Sequence, residues 1–158
     1  MHYTANGKET VERSKVGIVF ATQPPKEQVI NTFVFNPDMH IPPEDGNHRI
    51  DASVKILEDV KVQNFFPHMH LRGKAMEYRV TYPSGETQIL CRVPKYNFNR
   101  QMTYQLAQPI LLPKGTKILV SAWYDNSANN PANPNPKADV IGGNRRGRRC
   151  WRGSWILW

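Results

Sequence analysis

The feature that most constrains this chain is the interruption of short β-forming runs by proline and glycine turns. Segments 42–46 (PPEDG) and 83–86 (PSGE) are the clearest of these turns, and helical periodicity is nearly absent. Strands are predicted at Val16–Ala21, Val29–Phe35, Arg49–Ile56, Val60–Met69, Glu77–Tyr82, Thr87–Val93, Thr103–Leu106 and Lys117–Tyr124. Many short strands with this spacing predict an all-β fold, an antiparallel β-sandwich of the jelly-roll type.

Length and composition exclude several other classes. The chain has 158 residues, about one domain. No apolar run approaches the ~20 residues of a transmembrane helix, so we expect no membrane span. The two cysteines, Cys91 and Cys150, are too few for a disulfide framework or an all-thiolate metal site. We therefore expect a globular domain that is rich in loops but can still bury a core.

The positive charge is concentrated at one end. The net charge is +8, and residues 141–158 carry five arginines and no acidic residue. One interpretation is an arm that binds nucleic acid or anionic lipid through phosphates, using Arg145, Arg146, Arg148, Arg149 and Arg152. The other is that the segment is not native to the fold. We favour the second interpretation, so nucleic acid is not the expected partner.

Segment 66–74 (FPHMHLRGK) is the most informative for chemistry. Residues two apart on a strand project from the same face, so the imidazoles of His68 and His70 are predicted to point the same way. Two converging imidazoles form half of a transition-metal site suited to copper or zinc. The alternative is a pair of histidines on a solvated strand face.

The residues alone leave a third metal ligand open. His40 and His48 flank the turn at 42–46 and are interpreted as exposed loop histidines. Met69 is predicted to point away from its neighbouring histidines, because successive side chains alternate along a strand. His2 lies at the start of the chain, where a lone ligand has little to hold it.

Three phrases occur in an order that resembles a known family. They are residues 68–74 (HMHLRGK), 112–116 (LPKGT) and 124–136 (YDNSANNPANPNP). In this order they resemble bacterial relatives of the copper type II, ascorbate-dependent monooxygenases, which include peptidylglycine α-hydroxylating monooxygenase and dopamine β-monooxygenase. The resemblance covers about residues 2–140. It implies two jelly-roll domains that each hold one copper, with ascorbate as electron donor and dioxygen and a small molecule or peptide as substrates.

The resemblance also assigns roles and domains. His68 and His70 would be catalytic residues, as two of the three ligands of the catalytic copper. His2 would be the last histidine ligand of an electron-transfer copper in a first, missing N-terminal domain. Residues 1–22 would then be terminal strands of that truncated domain, residues 23–140 the C-terminal copper domain, and residues 141–158 an atypical basic tail. Intact members of the family work outside the cytoplasm, so a periplasmic or secreted location is implied.

The chain departs from the family after the asparagine-rich phrase. The family's third ligand is a methionine expected there, and no methionine follows Val140. We hypothesise that residues 141–158 are a frameshifted reading of the true end. The implied function is an incomplete copper monooxygenase domain with little or no activity as this chain. The alternative function is a non-enzymatic β-sandwich binding module.

Overall fold

The computed structural model describes residues 7–26, 29–142 and 154–157. Because these ranges contain no helix, they hold no helical membrane span. The described residues form ten strands: β1 (Asn31–Val34), β2 (His40–Ile41), β3 (His48–Lys55), β4 (Val60–Phe66), β5 (Gly73–Thr81), β6 (Thr87–Val93), β7 (Tyr104–Leu112), β8 (Lys117–Tyr124), β9 (Val140–Ile141) and β10 (Ser154–Leu157).

The strands form two four-stranded antiparallel sheets and one small two-stranded sheet. The first sheet has the order β1-β10-β4-β7, the second β3-β8-β5-β6, and β2 pairs with β9. The rings of Phe65 on β4 and Tyr78 on β5 lie 4.6 Å apart between their centroids, so the two large sheets share one core. The all-β sandwich prediction is confirmed, and the jelly-roll topology stays a prediction.

The core follows from the alternation of apolar residues along the central strands. In the β5–β8 pairing, Tyr78 lies opposite Val120 and Val80 opposite Ile118. All four side chains are buried, because alternate residues of a strand face the same side. Val62 and Phe65 of β4, also buried, belong to the same cluster.

Four strand predictions need correction. Strand β5 begins at Gly73, four residues before the predicted start at Glu77. Residues 16–21 form no strand, and Val19 is 97% exposed, because a β-forming run becomes a strand only when another strand pairs with it. Strand β4 ends at Phe66 rather than Met69, since Pro67 has no N–H to donate to the ladder. Strand β7 continues to Leu112, and it tolerates Pro109 because it lies at the edge of its sheet.

Strand β10 lies within the segment that was set apart as a basic tail. It is placed between β1 and β4, with Ile156 paired to Thr32 on one side and to Phe65 on the other. Four residues of that segment are therefore in the first sheet. The division of the chain at residues 22 and 140 stays a prediction, and the five tail arginines and Cys150 lie outside the described residues.

Residues 125–139, which we call the asparagine loop, connect β8 to β9. Their asparagine side chains accept hydrogen bonds from backbone N–H groups two residues on, as Asn130 does from Ala132 and Asn133 from Asn135. These are Asx-turns, which the asparagine content of the segment favours. Asn126 at the start of the loop is fully buried, which anchors the loop against the body of the domain.

Candidate metal-binding site

The two histidines lie in the connection between β4 and β5, residues 67–72, which we call the histidine loop. The alternation of β4 continues past its end, so Pro67 and Met69 are buried while His68 and His70 are half-buried. The two Nε2 atoms are 3.2 Å apart. The structure thus brings the two imidazoles together on one side, with the Met69 side chain on the other.

The spacing of the two nitrogens fits one shared metal ion. Zinc–imidazole bonds are about 2.0–2.1 Å long, so a separation of 3.2 Å would subtend about 100° at an ion bound by both. That angle is close to tetrahedral. In the structure the same two atoms share a hydrogen bond. The donor set present, two imidazoles, suits copper or zinc better than the hard cations magnesium and calcium.

Gln101 sets the orientation of the His68 ring. Its Oε1 lies 2.6 Å from His68 Nδ1, and its Nε2 donates to the backbone oxygen of Phe98 at 3.1 Å. A carbonyl oxygen only accepts, so Nδ1 of His68 carries the proton and Nε2 keeps its lone pair. A partner of this kind fixes the tautomer of a metal-binding histidine.

Aromatic rings flank both imidazoles. The Phe66 ring lies 6.0 Å from the His68 ring at an interplanar angle of 30°. The Phe98 ring meets the His70 ring nearly edge-on, with centroids 6.4 Å apart. The two histidine rings are themselves almost perpendicular, at 89°. This packing restricts rotation of the imidazoles and favours their convergent arrangement.

Tyr96 holds the peptide between the two histidines. Its hydroxyl donates to the backbone oxygen of Met69 at 2.6 Å and accepts from the Met69 N–H at 3.0 Å. Burial raises the pKa of the Tyr96 hydroxyl above its usual value, and the hydrogen bond with Met69 opposes this only in part. Tyr96 therefore stays protonated at neutral pH and keeps its role as a donor.

Gly73 allows this close packing. A Cβ atom added to Gly73 would lie 2.6 Å from Met69 Cβ and 2.8 Å from Tyr96 Cδ1. Both distances are well inside van der Waals contact, so only glycine lets the histidine loop and Tyr96 approach β5 this closely.

The asparagine loop holds the other end of the histidine loop. Arg72 donates through Nε to Asn126 Oδ1 at 2.6 Å, and Asn130 Nδ2 donates to the backbone oxygen of Leu71 at 3.1 Å. The Asp125 N–H donates to the backbone oxygen of Arg72 at 2.8 Å. Arg72 is itself buried, so its charge is satisfied by amide and backbone oxygens.

The other histidines do not join the pair. His40 Nε2 lies 2.6 Å from Asp139 Oδ1, and His48 Nδ1 lies 2.9 Å from Asp45 Oδ2. His40 is exposed, as predicted, whereas His48 is half-buried. The Asn47 N–H and His48 both hydrogen-bond Asp45 and lower the pKa of its carboxyl. His2 lies outside the described residues.

Within the described ranges, the two histidines are not part of a larger group of metal-binding side chains. No group of three or more histidine, cysteine, aspartate or glutamate side chains there could hold a metal ion. The third ligand of the site therefore stays open.

Two further titratable groups lie away from the pair, the buried Glu77 and the half-buried Cys91. Burial would raise the pKa of the Glu77 carboxyl, but hydrogen bonds from Arg92 and Arg79 lower it below its usual value. Burial raises the pKa of the Cys91 thiol to about 11, so this thiol is protonated and unreactive at neutral pH. Glu77 stabilises the second sheet through its ion pairs with Arg79 and Arg92. Cys91 packs against the hydrophobic core.

Sequence reasoning missed the residues that support the histidines. Tyr96, Phe98 and Gln101 all lie in residues 94–103, the β6–β7 loop, which is separated from the histidine loop by two whole strands. Their partners are 27 and 33 residues away in sequence. The only signal was a loop rich in aromatic and amide side chains, which does not say what it contacts.

Comparison with known proteins adds no family. No protein-family model and no curated protein matches this chain. Functional inference therefore depends on the convergent imidazoles, the side chains that orient them and the resemblance of the three sequence phrases.

Proposed function

We propose that this chain is the copper-binding domain of an ascorbate-dependent monooxygenase, with a jelly-roll topology and an extracytoplasmic location. The observation that carries the proposal is the 3.2 Å separation of His68 Nε2 and His70 Nε2, with His68 oriented through Gln101. Such a separation fits two ligands of one ion. The order of the three family-like phrases favours copper over zinc.

The roles of the protein groups follow from their hydrogen bonds. His68 presents its Nε2 lone pair, because Gln101 holds the proton on Nδ1. His70 Nε2 donates to His68 Nε2, so its proton must leave or move to Nδ1 before Nε2 can bind a metal. When bound, copper would supply the dioxygen chemistry that converts a substrate C–H to C–OH with two electrons from ascorbate, the second oxygen atom leaving as water.

The incomplete donor set limits the activity expected of this chain. Two imidazoles accept both oxidation states of copper, but a soft thioether ligand favours Cu(I), the form that meets dioxygen. Met69 does not supply that thioether here, because its side chain is buried on the other side of the loop. We therefore expect the purified 158-residue chain to show little or no ascorbate-dependent hydroxylation, and robust turnover would contradict this.

Copper titration with a matched pair of double variants tests the proposal. Isothermal calorimetry would compare wild type, His68→Ala/His70→Ala and His40→Ala/His48→Ala. Each variant removes two imidazoles, but only the first removes the converging pair. The proposal predicts that the tightest copper site is lost in the first variant and kept in the second.

The same titration decides between the proposal and the binding-module alternative. If His68 and His70 are only a hydrogen-bonded surface pair, the two double variants bind copper equally. Equal loss in both would refute the proposed site, and thermal melts of each variant show whether a loss reflects unfolding.

A further inference from the structure

The β6–β7 loop builds a second feature beside the histidines. A cavity of about 340 Å³ is lined by Pro67 together with Lys95, Tyr96 and Arg100 of this loop. This volume is near the lower end of the ~300–1,000 Å³ of small-molecule sites. The cavity is therefore large enough for a compact organic molecule.

The cavity is connected to the histidine pair through shared residues. Pro67 directly precedes His68 in the chain, and Tyr96 both lines the cavity and holds the Met69 peptide between the histidines. Gln101, which hydrogen-bonds His68, follows the lining residue Arg100 directly. A molecule in this cavity would therefore lie against the supports of the imidazole pair.

The charged side chains that line the cavity are all positive. Lys95 and Arg100 both line it, and no acidic side chain of the described chain does. Neither cation forms an ion pair with another described residue. Two cations at one concave site favour an anion, and a guanidinium suits a carboxylate in particular because it can donate two parallel hydrogen bonds.

Besides the two cations and the polar Asn97, the lining is apolar or aromatic. Val93, Met102 and Tyr104 contribute to the wall together with Tyr96. Tyr104 is 38% exposed and Met102 43%, so both present apolar surface that a ligand could cover. A ligand that matches both parts of the lining has an acidic group at one end and a ring or branched hydrocarbon at the other.

We propose that this cavity binds a small organic acid, its carboxylate held by Arg100 and Lys95 and its apolar body placed against Tyr96, Tyr104 and Met102. The binding needs no metal, so it goes beyond the proposed copper site and can be tested separately. It gives the β6–β7 loop two functions: orienting His68 and holding an anionic compound beside it.

Calorimetry on the metal-free full chain tests this proposal with benzoate as the probe. Benzamide serves as the neutral analogue of the same shape, and inorganic phosphate as an anion without an apolar body. We expect benzoate to bind about tenfold or more tightly than either, since a hydrogen bond to a charged group contributes more than a neutral one. The largest amide chemical-shift changes are expected at residues 95–102.

A matched pair of variants locates the site. Lys95→Gln/Arg100→Gln should weaken benzoate binding by about tenfold or more. Lys55→Gln/Lys117→Gln removes the same charge from paired positions on β3 and β8 and should leave binding unchanged. Equal binding of benzoate and benzamide, competition by phosphate at equal affinity, or full retention in the first variant would each overturn the proposal. The benzoate and benzamide comparison uses wild type alone, so it stands even if a variant fails to fold.

Discussion

The histidine loop is held on two sides by loops of different character. On one side, the asparagine loop presents Asn126, which is 0% exposed and hydrogen-bonds the buried Arg72. On the other, the half-buried Tyr96 and Gln101 of the β6–β7 loop reach Met69 and His68. The contact with the asparagine loop is a buried hydrogen-bond network that contains the Arg72 guanidinium. The contact with the β6–β7 loop consists of partly solvated hydrogen bonds. We infer that the first side chiefly stabilises the fold and the second chiefly orients the imidazoles.

Removing the buried amide should give the largest effect. Asn126 Oδ1 accepts from Arg72 and Asn133, and its Nδ2 donates to the backbone oxygens of Pro42 and Ala138. Asn126→Ala removes a partner from each of these groups, and it leaves the buried Arg72 guanidinium with the backbone oxygen of Asn135. We expect a loss of about 3 kcal/mol or more in the free energy of unfolding, measured by urea denaturation.

The control for this variant is Asn129→Ala in the same loop. Asn129 is exposed, so its substitution should change the free energy of unfolding by less than about 0.5 kcal/mol. If the two asparagine variants unfold at the same urea concentration, the asparagine loop is not the stabilising side.

A larger side chain at Gly73, where β5 begins, should give the second-largest effect on stability. Gly73→Ala places a Cβ within 2.6 Å of Met69 Cβ, so the histidine loop must shift. We expect a loss of about 1–3 kcal/mol in stability, together with weaker copper binding. Gly46→Ala is the matched control, since its added Cβ would have no neighbour closer than 3.4 Å. Equal melting temperatures for the two variants would contradict this packing.

A substitution on the β6–β7 side should act on metal binding more than on folding. Gln101→Leu keeps the side chain's size but removes the acceptor for His68 Nδ1. We expect copper affinity to fall by about 10–100-fold, the usual cost of losing such a partner. Calorimetry would measure this against Gln108→Leu, an exposed position on β7. Unchanged affinity in the Gln101 variant would mean that this side does not orient the site.

The smallest effect is expected from the other contact of the β6–β7 loop, the Tyr96 hydroxyl. Tyr96→Phe removes the hydroxyl that hydrogen-bonds both the N–H and the oxygen of Met69. We expect a loss of about 1 kcal/mol in stability by urea denaturation. Tyr104→Phe, at a partly exposed tyrosine of the same cavity, is the control and should be nearly neutral. A loss as large as that of Asn126→Ala would reverse the assigned order of the two sides.

The sequence predicted those parts of the molecule that local patterns determine. Strands Thr87–Val93 and Lys117–Tyr124 match β6 and β8 residue for residue, because alternation and flanking turns are local signals. The convergence of His68 and His70 was also predictable, since a two-residue spacing requires only an extended backbone. The alternation of buried and half-buried residues continues past the end of β4 at Phe66, although the hydrogen-bonded strand pairing ends there.

The parts that sequence reasoning missed depend on distant pairing. Gln101 and His68 meet only because β5 and β6 return the chain to the histidine loop, and no spacing rule expresses that. Residues 16–21 have every local property of a strand except a partner within the described chain. In the sequence Asn126 is one asparagine among several in its segment, and its burial depends on Arg72, 54 residues earlier.

The central claim is that His68 and His70 bind one copper ion through their Nε2 atoms. Electron spin echo envelope modulation of the chain loaded with one equivalent of Cu(II) tests it directly, because the remote Nδ1 nitrogen of each bound imidazole modulates the echo. We predict modulation from two equivalent imidazoles in wild type and from one in His68→Ala. Modulation that is identical in the two proteins, or absent from wild type, would contradict it.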